Sequence, residues 1–296
     1  MQMSSTPMYK NLSVGIALAA LVIAGWSLYR SAIQPDHVVA VSTDPAAQSP
    51  ILRDLAAGKL VVAYGGYPPY TQEDPKTGTV TGLSVDLVNE IAAQLNVKVV
   101  WKKINWNTMA ADMKRGEVDF IADPIFETIP RAREFSFTEP YSYVPSAIGV
   151  IRKGSKAYGS LDDLNDPSVK IAVGQGTAEE TLLRVRAPKA DIIGVQIGSD
   201  TAAAANLILS GRADIAILTL SDANRFMAAH PEKLEALWES NPPAFMPAGF
   251  ALQLNDQLGA AFLNVAIRNL RYTGAIDSLA KRYQIEDDFK AARIPQ

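Results

Sequence analysis

The stretch Ser84 to Trp101, SVDLVNEIAAQLNVKVVW, decides the fold class. Its first part sets Val88, Ile91, Ala92 and Leu95 at i, i+3, i+4 and i+7, the apolar stripe of an amphipathic helix. Ser84 is placed to cap it, and Asn96 to stop it in the left-handed conformation. Val97 to Trp101 then changes to a short run of β-branched and aromatic residues, which predicts a strand. Upstream, Leu60 to Ala63 reads as another strand, followed by a loop rich in turn residues: Gly65, Gly66, Pro68, Pro69, Asp74, Pro75 and Gly78. Downstream, Asn107 is placed to cap a helix carrying Met109, Ala110 and Met113, Gly116 ends it, and Val118 to Ala122 is the next strand. The order strand, helix, strand, helix, strand predicts an α/β protein with a mostly parallel sheet flanked by helices.

The same series returns further along. Strand Val169 to Val173, a helix from Thr177, strand Ile192 to Val195, a helix from Thr201 to Ser210 and strand Ala213 to Leu218 make a second unit. Gly116-Glu-Val-Asp119 and Gly211-Arg-Ala-Asp214 repeat one helix-stop-to-strand turn, each glycine supplying a positive φ. Two such sheets predict two lobes. What remains, strand Phe250 to Leu254 and helices Gln257 to Tyr272 and Ala275 to Tyr283, is too small for a third domain and must return to one of the lobes. The chain therefore crosses between lobes twice.

Composition narrows the function. The chain has 296 residues, with 28 Lys plus Arg against 31 Asp plus Glu, a net charge of −3. No segment gathers basic residues into a stripe for phosphate backbones, so nucleic acid is not an expected partner. With no cysteine and two histidines, His37 and His230, thiolate metal sites, disulfides and cysteine nucleophiles are excluded, and no metal or cofactor is expected. No nucleophile elbow, Walker loop or zinc-protease motif is present. At the N-terminus, Lys10 precedes an uncharged apolar run from Leu12 to Tyr29, and Arg30 closes it. That pattern predicts export, with residues 1–30 either a cleaved signal peptide or a retained signal anchor crossing the membrane. The stretch from Ser31 to Ala57, with Pro35, Pro45 and Pro50 and no sustained period, reads as a linker.

Several stretches carry a resemblance: Tyr67-Pro-Pro-Tyr70, Gly82-Leu-Ser-Val-Asp86-Leu, Trp106 before a helix ending at Gly116, Thr128-Ile-Pro-Arg131-Ala, Phe137-Thr-Glu-Pro-Tyr141, Val173-Gly-Gln-Gly-Thr177 and Gly211-Arg-Ala-Asp214. From about Leu60 to Ile285, in this order, the chain resembles type 2 periplasmic solute-binding proteins of the amino-acid-binding family 3, the receptors of ABC importers. The resemblance implies a two-lobed fold whose lobes are joined by two crossover strands and close on a ligand by hinge motion. It implies residues 58–148 with 250–296 as the first lobe and 149–249 as the second, with crossings near Ala147 to Arg152 and Ala248 to Leu254. It also implies a periplasmic monomer that delivers a polar amino acid or related small carboxylate to an inner-membrane permease, without chemistry of its own.

Independently, ligands of open α/β sheets sit beyond the carboxyl ends of the strands, so the loops after Ala63, Ala122, Val173 and Leu218 should face the cleft. Arg131 follows one of them and resembles the family arginine that clamps a ligand carboxylate. Thr177, with Ala178 after it and Glu180 completing a capping box, begins a helix that offers N–H groups and a positive dipole end to an anion. Tyr67 and Trp106 resemble the aromatics that sandwich the ligand side chain. Two positions depart from the family. Asp123-Pro-Ile-Phe126 stands where small polar residues are usual, and Thr219 stands where an Asp usually holds the ligand ammonium. Either Asp123 takes over that duty, or it caps a turn and the ligand has no ammonium; Phe126 adds bulk beside it. Two other classes remain open: a membrane-anchored sensing module, and a dehydratase-like enzyme with Asp123 or Asp222 as its acid.

Overall fold

The computed structural model describes residues 44–198, 200 and 202–290. Thirteen strands form two main sheets and a small ribbon. In chain order they are β1 (Lys59–Tyr64), β2 (Gln72–Glu73), β3 (Val80–Thr81), β4 (Lys98–Lys103), β5 (Phe120–Phe126), β6 (Phe135–Phe137), β7 (Ser142–Ser146), β8 (Ile148–Arg152), β9 (Lys170–Gly174), β10 (Asp191–Val195), β11 (Ile215–Leu218), β12 (Leu234–Leu237) and β13 (Ala244–Gln253).

The first sheet runs β4-β1-β5-β13-β6, with β7 also paired to β13; the second runs β10-β9-β11-β8-β12. In each, the first three strands are parallel. These are the two units read in the sequence, and their central strands are apolar runs buried on both faces, as parallel strands covered by helices must be. The remaining pairings are antiparallel, because they involve strands that arrive after a crossing or fold back. Each sheet is therefore mixed rather than mostly parallel.

The crossings are sharp. β7 ends in the first sheet and β8 begins in the second, with only Ala147 between them, fully buried at φ 62°. The chain returns between Leu237 and Ala244, because β13 pairs in the first sheet along its length. That is earlier than the Ala248 to Leu254 crossing the sequence suggested, and residues from Ala244 onward belong with the first sheet.

The repeated glycine turns do the same work in both lobes. Gly116 and Gly211 take φ of 70° and 72°. Just beyond them, Asp119 accepts from the Val61 N–H at 2.7 Å and Asp214 from the Lys170 N–H at 2.8 Å, tying each new strand to its parallel neighbour. Asn96 stops its helix at φ 53°, as its position predicted. Ser84 does not cap that helix: Gly82 precedes Leu83–Leu95, and Ser84 lies inside, bonded to the Tyr141 hydroxyl. Asn107 does not cap Met109–Lys114 either; Thr108 precedes that helix. The segment predicted helical from Thr201 is a 3-10 turn, Ala203–Ala205, followed by the short helix Asn206–Leu209.

The linker reading of Ser31 to Ala57 fails where the structure describes it. Pro45–Gln48 and Pro50–Ala56 are helices, the second capped by Ser49, whose hydroxyl accepts from the Leu52 N–H. Ile51 is fully buried in the first lobe's core, lying where a side chain on Gly259 would sit. The stretch is too short to show a period, and its prolines stand at a helix start, where a missing N–H costs nothing. The predicted signal segment, residues 1–30, lies outside the described residues. Among the described residues no helix is long and apolar enough to cross a membrane.

Candidate functional site

The carboxyl ends of β1, β5, β9 and β11 converge on a cleft between the sheets, and the residues after them line a cavity. Its wall includes Tyr67 after β1, Phe126 and Arg131 at and after β5, Gly174 and Thr177 after β9, and Thr219 after β11. Trp106 completes the aromatic side. A wider hollow shares Trp106, Arg131 and Ile197 with it.

Tyr67 is held from behind. It stacks on Tyr70 with centroids 5.7 Å apart, meets Trp106 edge-on at 6.5 Å, and its N–H donates to the Thr71 carbonyl. Its hydroxyl reaches across the cleft, donating to Thr219 Oγ1 at 2.9 Å and accepting from Ser221 Oγ at 3.2 Å. Burial, with the Asp222 charge adding to it, raises the phenol pKa well above the usual value, so the group stays a donor. Trp106 lies flat on Gly65, where no side chain would fit: a Cβ there would stand 2.7 Å from the indole.

Arg131 begins a 3-10 turn after β5. Its Nη1 donates to the Phe126 carbonyl at 3.2 Å, and its Nη2 reaches the Gly176 carbonyl of the other lobe at 3.5 Å. Among the described residues no carboxylate lies within 4.0 Å of it. Burial lowers its pKa, and the charge of Glu179 opposes that shift. A half-buried guanidinium bonded only to carbonyls retains donors for a carboxylate.

Thr177 caps the helix Ala178–Arg186 by accepting from the Glu180 N–H at 3.3 Å. The box closes one residue earlier than predicted, since Glu180 Oε2 accepts from the Gly176 N–H at 2.7 Å. Ala178 is buried in the first lobe's hydrophobic cluster rather than in the cavity wall. Asp123 is also outside the wall. It is fully buried behind it, accepting from the Gly65 N–H at 2.6 Å and from the Thr71 hydroxyl, so it fixes the Gly65 to Thr71 loop that carries Tyr67. Its place in β5 turns it toward β1, and both carboxylate oxygens are engaged; the reading of Asp123 as the ammonium partner does not fit this geometry. Burial pushes its pKa up to about 7 against the pull of those two donors.

Thr219 lines the cavity and caps the helix Leu220–Ala229 through the Asp222 N–H. Two acids also line it: Glu179, which the sequence reading did not place in the site, and Asp222, which it named only as a candidate acid for a dehydratase-like enzyme. Each lies in the first turn of a helix whose cap, Thr177 or Thr219, was singled out, and that one-turn offset was the available signal. Asp222 is ion-paired to Arg225 at 2.8 Å. Glu179 accepts from Ser146 Oγ at 2.5 Å. Burial raises its pKa, and that bond and the Arg131 charge pull it back. Among the described residues no group of three or more His, Cys, Asp or Glu is placed to hold a metal ion.

The sequence and fold match known proteins. A probable histidine-binding protein of Campylobacter jejuni is 27% identical over 222 residues, covering 74% of this chain and 82% of its own. The crystal structure of an ancestral amino acid-binding protein, a precursor of cyclohexadienyl dehydratase, is 26% identical with a TM-score of 0.67, covering 79% of this chain and 99% of its own. A binding component of an ABC transporter from Wolinella succinogenes, complexed with lysine, is 26% identical with a TM-score of 0.66, covering 76% and 95%. Residues 60–286 match the family model of bacterial extracellular solute-binding proteins, family 3. With two parallel-strand units, two crossings and a cleft built from the strand ends, the chain belongs to the bacterial extracellular solute-binding proteins of family 3.

Proposed function

We propose that this protein is the periplasmic receptor of an ABC importer, and that its cleft binds a polar amino acid by closure of the two lobes. The observation that carries this reading is Arg131: a half-buried guanidinium in the interlobe cavity, bonded to a carbonyl of each lobe and to no carboxylate among the described residues. A ligand carboxylate on Arg131 meets both lobes at once and so adds a bridge that favours the closed form. Tyr67, Trp106 and Phe126 supply apolar surface for the ligand's side chain, and Thr219 adds a hydroxyl on the second lobe. The ligands named for the relatives support the class: histidine for one, lysine for another, and amino acids for the ancestral protein. Tyr67, Trp106, Phe126, Arg131, Thr177 and Thr219 form the proposed ligand site; the lobes divide at Ala147 and between Leu237 and Ala244. The protein binds and releases its ligand unchanged, and hands it to an inner-membrane permease.

A thermal-shift screen of the full chain against the twenty amino acids and the matching small carboxylates tests this. A ligand at ~1,000 times its dissociation constant stabilises by about 4 kcal/mol, a rise of roughly 8 to 16 °C for a protein of this size. The result expected is a shift with one or a few amino acids that Arg131→Ala abolishes. Shifts confined to carboxylates without an amine, or none, overturn the assignment.

A further inference from the structure

We propose that the Glu179 carboxylate receives the ammonium group of the ligand and so sets the receptor's preference for an amino acid over the same carboxylate lacking its amine. The proposal rests on the amino-acid reading above and adds to it a residue that no comparison assigns.

A cavity that holds a zwitterion needs an anion as well as a cation. Three charged side chains line this one: Arg131 from the first lobe, Glu179 and Asp222 from the second. Asp222 has a cation in contact, Arg225 at 2.8 Å. Glu179 has none within 4.0 Å among the described residues, although it is only 5% exposed. A buried carboxylate without a counter-cation is costly. It is tolerable where a cation arrives with the ligand.

Orientation agrees. Glu179 is the second residue of Ala178–Arg186, on the opposite side of the cleft from Arg131, close enough that each feels the other's charge but too far for contact. An α-amino acid carries its ammonium and carboxylate on one carbon, about 2.5 Å apart from nitrogen to carboxyl carbon. That head group fits a cation and an anion that face each other across a gap, with the carboxylate on Arg131 and the ammonium on Glu179. The acceptor is positioned, since Ser146 Oγ at 2.5 Å holds the carboxylate. A carboxylate has about four lone-pair positions, so capacity remains for an ammonium donor. The other positions read for this duty do not serve: Asp123 is sealed behind the wall, and Thr219 is a hydroxyl without charge.

The test uses the amino acid that gives the largest shift in the screen, paired with its analogue lacking the α-amine: 6-aminohexanoate for lysine, 5-guanidinopentanoate for arginine, 3-(imidazol-4-yl)propanoate for histidine. Calorimetry gives both affinities for the wild type, Glu179→Gln and Asp222→Asn. Glu179→Gln is expected to weaken the amino acid at least ~10-fold, about 1.4 kcal/mol, and to leave the analogue unchanged or tighter. Asp222→Asn is expected to move both ligands by the same factor. If Glu179→Gln does not fold, Glu179→Asp, which withdraws the charge by one methylene, must show the same selective loss. Equal losses for both ligands in the Glu179 variant, or selective loss in Asp222→Asn instead, overturn the proposal and leave the receptor reading standing. A wild type that binds no amino acid overturns both.

Discussion

Tyr67→Phe should open the ligand-free receptor. The phenol oxygen makes two of the hydrogen bonds that join the first lobe to the second, to Thr219 at 2.9 Å and to Ser221 at 3.2 Å, beside those of Arg131 to the Gly176 carbonyl and of Ser146 to Glu179. Removing it leaves the ring stacked on Tyr70 and edge-on to Trp106, so the loop keeps its packing. Neither former partner is orphaned, because Thr219 still accepts from the Asp222 N–H and the two hydroxyls lie 3.3 Å apart. The loss is therefore the net worth of the bonds and not a desolvation penalty, about 0.5–1 kcal/mol each. Together, about 1–2 kcal/mol shifts the closed-to-open ratio by roughly 5- to 30-fold. The chain has no cysteine, so Val185→Cys on the second lobe and Tyr272→Cys on the first, both exposed, carry spin labels without background. Pulsed dipolar spectroscopy of the ligand-free protein should show the labels moving to the open-form distance in Tyr67→Phe. Ligand affinity should fall by at most that factor, because the competent closed form is less populated. An unchanged distance distribution with unchanged affinity refutes the assignment of this contact as a latch.

Other consequences are separately measurable. Asp119 is buried and pushed up to about 7 chiefly by desolvation, so the folded protein holds its proton while the unfolded chain gives it up near 3.8. Its contribution to stability is full below the unfolded value and is lost as pH rises through about 7, at most about 4 kcal/mol; urea titrations of wild type and Asp119→Asn should diverge between pH 4 and 7, and parallel curves exclude it. Gly65→Ala should cost about 1–3 kcal/mol by overpacking and weaken ligand binding, since the new methyl would sit 2.7 Å from the Trp106 ring and drive it into the cavity; a thermal scan and a binding titration read both. Ile51→Ala should destabilise by about 2–5 kcal/mol if the helix Pro50–Ala56 is part of the first lobe's core, whereas a linker residue would change nothing.

Much of this fold was legible because its signals are local and repeated. Asn96, Gly116 and Gly211 mark helix ends through backbone conformations that few residues adopt, and the structure places each at positive φ. The apolar runs that became β1, β9 and β11 are buried parallel strands, which read the same in any context. The misread elements depended on tertiary packing. Pro50–Ala56 is too short for a period to emerge and is stabilised by Ile51 against Gly259, a contact between residues 208 positions apart. β13 extends to Ala244 because β7 offers it a partner, and Pro247 within it lowered its local strand signal. In the site, residue types were readable and directions were not. Tyr67, Trp106, Phe126, Arg131, Thr177 and Thr219 do reach the cavity, because each stands at or beyond a strand end or on a loop facing it. Asp123 sits one position from Pro124, yet the alternation of a strand sends one to the interior and the other to the wall.

The helix end at Thr177 bears on what the cleft can hold. Read as sequence, it offers N–H groups and a positive dipole end to a ligand anion. In the structure two of the donors at this helix end are taken internally, the Gly176 N–H by Glu180 and the Glu180 N–H by Thr177. The helix after Thr219 follows the same plan, with Asp222 in its first turn and its N–H on the cap. Both second-lobe helices therefore turn toward the cavity with a carboxylate in the first turn, and the positive end of each dipole stabilises that acid rather than a guest. Anion recognition then falls to Arg131 on the first lobe, and the second lobe presents negative charge. The ligand must be polar in the matching sense, carboxylate toward the first lobe and cation toward the second. A plain carboxylate would find Arg131 but would bring a second anion near Glu179, and closure would press the two together. This polarity across the hinge, more than the shape of the aromatic wall, makes an amino acid the ligand on which both lobes can close.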